Sequence, residues 1–179
     1  KIKQGIIFRG SAYDYYPITA DGIQTAKEEL KIKTVIDLRK DYLGKPATAL
    51  GDGVRVFQLP YRPYLEVFAS EENYPIYFHC RGGADRTGMI ALFLRAIAGE
   101  DDDSIHTDYE MTALSTYAEG AAEGADGFRS RNSAYYLDFL NKLRSYLPNG
   151  SISECARAFI LCCGVSEATL QKIEKIIKA

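Results

Sequence analysis

The spacing of apolar residues divides this chain into two halves. In the first half, short runs rich in Ile, Val and Phe stand between Gly, Pro and charged residues, and such runs predict strands. We place the strands at 6–8, 34–39, 54–59 and 76–78. Between the first two, Thr19-Ala20-Asp21 supplies an N-cap and predicts a helix from Gly22 to Leu30.

In the second half, apolar residues recur at the spacing of amphipathic helices. The predicted helices cover 87–98, 105–114, 133–147, 153–163 and 166–177. Asp101 to Asp103 precede one of them, and we interpret this acidic run as a capped first turn rather than as a cation site. Loops are predicted at 40–53, at 61–74 with at most one helical turn, and at 118–131, where many Gly and Ala residues indicate mobility.

Predicted strands in the first half of the chain, followed by predicted helices in the second half, indicate the α/β class. The prediction is a central, mostly parallel sheet of about four to five strands, flanked by helices that are concentrated in the C-terminal half. No internal repeat and no linker divides the sequence. Residues 1–179 are therefore predicted to form a single domain.

Charge and hydropathy exclude some classes of protein. The formal net charge of the 179 residues is −2, which argues against a nucleic-acid partner or an anionic membrane surface. No apolar run is long enough to span a bilayer, so no transmembrane segment is predicted. The sequence begins with Lys1 rather than Met, as in a trimmed or processed chain, so the compartment stays open between cytoplasmic and exported.

The four cysteines are too few and too irregularly spaced to predict a disulfide framework. Cys155, Cys162 and Cys163 fall within one predicted helix, and we interpret them as buried apolar side chains. The sequence has two histidines and no Cys-x-x-Cys, so it predicts neither a metal site nor a cofactor.

The chemistry is concentrated in one stretch, His79-Cys80-Arg81-Gly82-Gly83-Ala84-Asp85-Arg86-Thr87-Gly88-Met89. It joins a predicted buried strand to a predicted helix through glycines that permit a tight loop. Such a loop presents unpaired N–H groups and the positive end of a helix dipole, which together attract anions. The same field stabilises a thiolate at Cys80. One loop is therefore suited both to bind a phosphate and to supply the nucleophile that attacks it.

This stretch resembles the signature loop of the cysteine-dependent protein tyrosine phosphatases, in which His-Cys is followed by five residues and then by Arg-Ser/Thr-Gly. Its Asp-Arg-Thr-Gly ending is similar to that of bacterial tyrosine and dual-specificity phosphatases whose relatives also hydrolyse phosphoinositides. The turn at Arg9-Gly10-Ser11 and the strand end at Asp37-Leu38-Arg39 resemble the same bacterial enzymes. The resemblance implies the cysteine-dependent phosphatase fold.

Each residue of the stretch has a predicted part in phosphate ester hydrolysis. Cys80 is the predicted nucleophile and forms a phosphocysteine intermediate. Arg86 holds two phosphate oxygens through its planar guanidinium, and Thr87 donates a hydrogen bond to the Cys80 sulfur. The resemblance implies that His79 orients the loop. The residues predicted to surround the phosphate-like anion are His79, Arg81, Gly82, Gly83, Ala84, Asp85 and Arg86.

The group that protonates the leaving oxygen is left open between several carboxylates. Many tyrosine phosphatases carry an aspartate on a mobile loop upstream of the cysteine, whereas segment 54–79 contains no Asp. Asp85, inside the signature loop, is therefore the first candidate for the general acid, with holding the loop as its alternative role. The further candidates are Asp37, Asp41 and Glu66.

Residues around the loop bear on the choice of substrate. Ala84 stands where the bacterial relatives usually carry Lys, and the missing charge argues against multiply phosphorylated inositol lipids. Candidates for further phosphate contacts, each more typical of a surface or structural residue, are Arg9, Arg39, Arg62, Arg129 and Arg131. Candidates for the wall of a pocket that receives an aromatic ring are Tyr13, Tyr15, Tyr16, Tyr61 and Tyr64.

We therefore predict a phosphatase that hydrolyses phosphotyrosine, and as a dual-specificity enzyme also phosphoserine or phosphothreonine, through a phosphocysteine intermediate and without a cofactor. Its partner is then a phosphorylated protein or a small phosphate ester. One alternative keeps the enzyme and makes a phosphoinositide or another small phosphate ester the substrate. Two others are a catalytically weak phosphate-binding module and a thiol reductase or sulfur transferase, although the latter lacks a second cysteine close to Cys80 in the sequence.

Overall fold

Four parallel strands form the sheet of the computed structural model, which describes residues 1–13, 17–39, 48–58, 63–111, 131 and 133–179. The strands are β1 (Ile7–Gly10), β2 (Thr34–Asp37), β3 (Arg55–Gln58) and β4 (Ile76–His79). Their order in the sheet is β1-β4-β2-β3, and every neighbouring pair is parallel. The predicted α/β class with a central parallel sheet is confirmed.

The two central strands, β2 and β4, are buried along their whole length, whereas β1 and β3 at the edges are partly exposed. A strand covered on both faces needs apolar side chains on both, which explains the nearly continuous apolar runs of β2 and β4. In the register of the sheet, His79 pairs with Gly10 on one side and with Asp37 on the other. The carboxyl ends of three strands therefore meet immediately before Cys80.

The helices of the described residues cover both faces of this sheet. They are α1 (Ala20–Gln24), continued by a π-helical turn (Thr25–Glu29), α2 (Pro63–Phe68), followed by a 3-10 turn (Glu71–Asn73), α3 (Asp85–Ile97), α4 (Asp102–Glu110), α5 (Ala134–Arg144), α6 (Ile152–Cys162) and α7 (Glu167–Ile177). The predicted helices of the C-terminal half are thus present, with ends that differ by a few residues, although residues 112–114 of the predicted helix 105–114 lie outside the described residues. The predicted mobile segment 118–131 lies outside the described residues except for Arg131.

Helix α2 and the 3-10 turn that follows it replace most of the loop that the sequence predicts at 61–74. The prediction of at most one helical turn is wrong here because Leu65, Val67 and Phe68 are all buried, and their packing stabilises a helix too short to form alone. The interpretation of the acidic run before α4 is confirmed. Asp101 is the N-cap of α4, and its carboxylate accepts a hydrogen bond from the Ser104 N–H at 2.8 Å.

Apolar side chains pack on the two faces of the sheet in separate clusters. Ile36 and Phe78 point to the face covered by α3 and the C-terminal helices, while Val35 and Tyr77 point to the face covered by the α1 segment. Strand alternation explains why neighbours in sequence belong to different clusters. Cys155 is buried in the larger cluster as predicted, but the prediction is wrong for Cys162 and Cys163, which are exposed.

Candidate active site

Cys80 directly follows the central strand β4 at the carboxyl edge of the sheet. Its side chain is only 3% exposed. Residues 81–84 form a tight turn, and α3 begins at Asp85. Ligands of open parallel sheets bind at this edge, and here the N-terminus of α3 adds its unpaired N–H groups and dipole. The predicted strand, loop and helix are therefore assembled around Cys80.

The turn depends on a close approach between two backbone segments. Gly83 has φ +74°, which side chains rarely adopt, and a Cβ at this position would lie 2.7 Å from both the carbonyl carbon and the carbonyl oxygen of Gly10. Gly10 ends β1, so the loop after β4 rests on the end of the neighbouring strand. Glycine at position 83 is required both for the dihedral angle and for the space.

Three carbonyl groups of the signature stretch are bound by donors outside the turn. The Ala12 N–H donates to the Arg81 carbonyl at 3.0 Å, and the Gly88 N–H donates to the Ala84 carbonyl at 2.6 Å. His79 Nδ1 lies 3.0 Å from the Cys80 carbonyl oxygen, and since a carbonyl only accepts, Nδ1 carries the proton. The C=O and N–H of a trans peptide point in opposite directions, so each bound carbonyl turns the next N–H to the other side of the loop.

Arg86 is held by the end of β2. Its Nη1 donates to the Leu38 carbonyl at 3.1 Å, and the Leu38 N–H in turn donates to the His79 carbonyl at 2.8 Å. The guanidinium is only partly buried. One of its donors is therefore used to fix its position next to the loop, which is the arrangement that a phosphate-binding arginine needs.

Asp37 and Arg39 form a bidentate ion pair beside Leu38. Arg39 Nε lies 2.9 Å from Oδ1 of Asp37, its Nη2 lies 2.7 Å from Oδ2, and its backbone N–H also donates to Oδ1. Asp37 is almost fully buried, and its Oδ1 is 3.9 Å from His79 Nδ1. Asp37 was a candidate general acid and Arg39 a candidate phosphate contact. In the structure they bind each other, and their ion pair shapes the turn at Leu38.

Asp85 and Thr87 lie in the first turn of α3. Asp85 is partly exposed, at the first position of the helix, where its charge also matches the helix dipole. Thr87 is fully buried, and within the described part of the chain its hydroxyl has no hydrogen-bond partner. The hydrogen bond from Thr87 to the Cys80 sulfur, which the sequence predicts, is therefore not formed in this structure. Next to them, Ala84 is buried and Arg81 is exposed at the rim of the loop.

Of the other candidates that the structure describes, Glu66, Arg9 and Arg131 make contacts with other elements, whereas Tyr13 and Tyr64 lie beside β4 and the end of β2. Glu66 accepts a hydrogen bond from the Thr169 hydroxyl at 3.3 Å, which ties α2 to α7. Arg9 pairs with Asp108 at 2.8 Å, and Arg131 pairs with Glu110 at 2.9 Å. Tyr64 is buried, and Tyr13 stacks on Tyr77. The candidates that lie outside the described residues are Asp41, Arg62, Arg129, Tyr15, Tyr16 and Tyr61.

Sequence reasoning missed the backbone groups that hold the loop, those of Gly10, Ala12 and Leu38. The resemblance pointed to the segments Arg9-Gly10-Ser11 and Asp37-Leu38-Arg39, but backbone atoms carry no residue signature, so it could not show that groups of Ala12 and Leu38 hold the loop. Gly10 follows the predicted strand 6–8 by two residues, and a close backbone approach is one of the usual reasons for glycine there. Among the described residues, no group of three or more His, Cys, Asp or Glu side chains is arranged to hold a metal ion, and no helix is long and apolar enough to cross a membrane.

The chain is similar to several known phosphatases. A model of the tyrosine phosphatase family matches residues 47–177. A tyrosine-protein phosphatase from Nostoc commune is 27% identical over 122 residues, which are 68% of this chain and 38% of that protein. Among solved structures, the core catalytic domain of the PP-IP phosphatase Siw14 from S. cerevisiae aligns with a TM-score of 0.46 and 18% identity, over 81% of this chain and 93% of that one. Another structure of the Siw14 catalytic core aligns with the same TM-score and identity, over 80% and 89%.

The chain belongs to the tyrosine phosphatase family, because the family model matches well over half of it. The relationship predicted from the signature loop is confirmed, and the matched range contains the whole stretch from His79 to Met89. The chain spans only 38% of the length of the Nostoc relative.

Proposed function

We propose that this chain hydrolyses phosphotyrosine through a phosphocysteine intermediate. The observation that carries the proposal is the position of Cys80, between the carboxyl end of β4 and the N-terminus of α3, with Arg86 in the first turn of that helix and fixed by the Leu38 carbonyl. The helix N-terminus and the guanidinium are both suited to bind a dianionic phosphate. The Cys80 sulfur is then the nucleophile that attacks the bound phosphorus.

The reaction has two displacements at phosphorus. In the first, the Cys80 thiolate attacks phosphorus, the S–P bond forms and the bond from phosphorus to the tyrosyl oxygen breaks. The leaving oxygen takes its proton from Asp85. In the second, a water oxygen attacks phosphorus while Asp85 accepts the water proton, and the S–P bond breaks to release phosphate and the thiolate. Arg86 and the loop N–H groups stabilise the charge on the transferred oxygens in both displacements.

The depth of Cys80 supports phosphotyrosine over phosphoserine and phosphothreonine. With only 3% of the residue exposed, a substrate must present its phosphate at the end of a long arm. The phenyl ring of phosphotyrosine supplies that reach, whereas the single carbon of phosphoserine does not. Ala84, which is buried and uncharged, supports a substrate with one phosphate over a highly charged inositol lipid.

Replacement of the nucleophile tests the mechanism. We expect Cys80→Ser to lower the turnover of an aryl phosphate by more than about a thousandfold while inorganic phosphate still binds. Cys163→Ser is the matched control, because Cys163 is an exposed cysteine at the C-cap of α6, and its replacement should leave turnover unchanged. Turnover that survives in Cys80→Ser contradicts the mechanism. Phosphate binding without turnover in the unmodified protein favours a binding module.

The general acid is tested by varying the leaving group. Asp85→Asn should slow phosphotyrosine, an ester with a poor leaving group, by about a hundredfold or more, since it needs a proton on the leaving oxygen. Activated aryl esters leave without one and should slow much less. Equal losses for both types of ester assign Asp85 to holding the loop instead. A parallel panel of phosphotyrosine, phosphoserine and phosphothreonine peptides and inositol phosphates, at one salt concentration, tests the substrate.

A further inference from the structure

The segment formed by residues 10–12, which binds the signature loop, is contacted on its other side by Tyr77. The Tyr77 hydroxyl donates a hydrogen bond to the Ser11 carbonyl, with an O···O distance of 2.7 Å. Gly10 leaves room for this bond, because a Cβ at Gly10 would lie 2.5 Å from the Tyr77 hydroxyl oxygen. The segment is therefore fixed between Tyr77 and the loop.

Tyr77 is itself rigidly placed. It lies in β4, shortly before Cys80, and it is 8% exposed. Its ring stacks on the Tyr13 ring with centroids 4.8 Å apart and an interplanar angle of 11°, and it lies 5.6 Å from the His79 ring. Burial, together with the neighbouring Tyr13, raises the pKa of Tyr77 far above its usual range. The hydroxyl is therefore a permanent donor at any pH at which the protein works.

We propose that Tyr77 is a positioning residue for the phosphate-binding loop. Through Ser11 it fixes the segment 10–12, and the Ala12 N–H of that segment holds the Arg81 carbonyl. A fixed carbonyl orients the N–H of the next residue, Gly82, because both belong to one planar peptide. Tyr77 thereby sets the direction of a phosphate-binding N–H without touching the substrate. This inference rests on the proposed function of the loop.

Tyr74 provides a matched control within the same chain. Like Tyr77, it is 8% exposed, and its hydroxyl donates to a backbone carbonyl at 2.7 Å. Its acceptor is Phe68, at the end of α2, which makes no backbone contact to the signature loop in the described residues. Replacing either tyrosine by phenylalanine removes one buried hydroxyl and leaves the ring. Because the Tyr77 hydroxyl also hydrogen-bonds the Tyr13 hydroxyl, thermal unfolding of both variants is measured and activities are compared per folded molecule.

The experiment compares Tyr77→Phe with Tyr74→Phe in the full chain. We expect Tyr77→Phe to lower kcat for an aryl phosphate about tenfold and to weaken the binding of inorganic phosphate by a similar factor, as for the loss of one hydrogen bond. Hydrogen exchange of the Ala12 amide, followed by NMR, should also become faster. Tyr74→Phe should keep the kcat, the phosphate affinity and the Ala12 exchange rate of the unmodified protein.

Two outcomes overturn the proposal: equal effects of both variants on kcat, or a Tyr77→Phe variant with unchanged phosphate affinity and Ala12 exchange. The exchange measurement needs neither substrate nor turnover. If the unmodified protein hydrolyses no phosphate ester, the proposed function fails, while Ala12 exchange in the two variants still decides whether Tyr77 holds the segment.

A second variant tests the contact at Gly10. A Cβ at Gly10 would lie 2.5 Å from the Tyr77 hydroxyl oxygen but 3.3 Å from the ring carbon Cζ that carries it. Removing the hydroxyl therefore relieves the closest contact. We expect the double variant Gly10→Ala/Tyr77→Phe to melt at a higher temperature than Gly10→Ala alone. If the losses of stability in Gly10→Ala and Tyr77→Phe simply add in the double variant, the proposed packing of Tyr77 against the segment is overturned.

Discussion

The signature loop and the C-terminal helices both pack against α3, but different interactions hold them. The loop is fixed by backbone hydrogen bonds and by a contact between two glycines, Gly10 and Gly83. Helices α5 to α7 are fixed by apolar side chains that are almost fully buried, such as Leu143, Ile160 and Ile173. Hydrogen bonds and close contacts depend on tenths of an ångström, whereas apolar burial depends mainly on area. A small substitution in the loop should therefore reduce activity, whereas a substitution in the helices should reduce stability.

The largest effect is expected from Gly83→Ala. The left-handed backbone costs about 1–2 kcal/mol for a residue with a side chain, and the new Cβ would collide with the backbone of Gly10. We expect kcat/KM to fall by at least about a hundredfold, because a displacement of about 1 Å in a positioned group has that cost. Steady-state kinetics and thermal unfolding measure the two effects.

Gly51→Ala is the control for this prediction. Gly51 has φ +78°, so the dihedral cost is similar, but among the described residues no atom beyond its two chain neighbours lies within 4 Å of the position of its Cβ. It should lose stability and keep its turnover. Equal losses of activity in both variants would mean that strain anywhere in the fold disables the enzyme.

Ile173→Ala tests the helical region. Ile173 is fully buried in α7, and its truncation should lower the free energy of unfolding by about 2–5 kcal/mol, by lost burial and by the cavity that remains. Per folded molecule, kcat/KM should be unchanged. Leu161→Ala, at an exposed leucine of α6, should change stability by less than about 0.5 kcal/mol. Denaturant unfolding and kinetics below the transition check both values.

Asp37→Asn probes a charge that belongs to the loop region. It removes the carboxylate that holds Arg39, and the buried, charged hydrogen bonds should be worth about 1.5–3 kcal/mol. We also expect kcat to fall about tenfold, because the turn that presents the Leu38 carbonyl to Arg86 loosens. An exposed pair in the other region, Arg157 with Glu167, is the comparison. Glu167→Gln should cost at most about 1 kcal/mol and no activity.

The smallest effect is expected from Ser151→Ala. Ser151 caps α6: its hydroxyl accepts from the Glu154 N–H, and the Glu154 carboxylate accepts from the Ser151 N–H. Loss of this cap should lower stability by about 1 kcal/mol, and Ser151→Thr should restore most of it. Turnover should be unchanged in both. A loss of turnover here would mean that the C-terminal helices act on the loop at a distance.

The sequence predicted the elements of the fold better than their arrangement. Apolar runs located all four strands of the described residues, and helical spacing located the C-terminal helices. It did not predict the strand order, since β1 pairs with β4 across most of the first half of the chain. Helical spacing placed Cys155 and Cys162 on one side of α6, but Cys162, at the end of that helix, is exposed, whereas Cys155 is buried. The spacing of apolar residues predicts which face of a helix is turned inward. Only the neighbouring elements determine how much of that face is buried.

The candidate site divides in the same way. The residue types for phosphate chemistry stand together in eleven consecutive positions, from His79 to Met89, and a strand, a tight turn and a helix between them can form in only a few ways. The sequence by itself therefore determined the nucleophile candidate, the candidate anion-binding loop and the family. Only the tertiary structure decided that Ala12 and Leu38 hold this loop and that Tyr77 lies behind it. Those contacts join distant parts of the chain through backbone atoms, and the register of the sheet, which no local pattern specifies, brings them together.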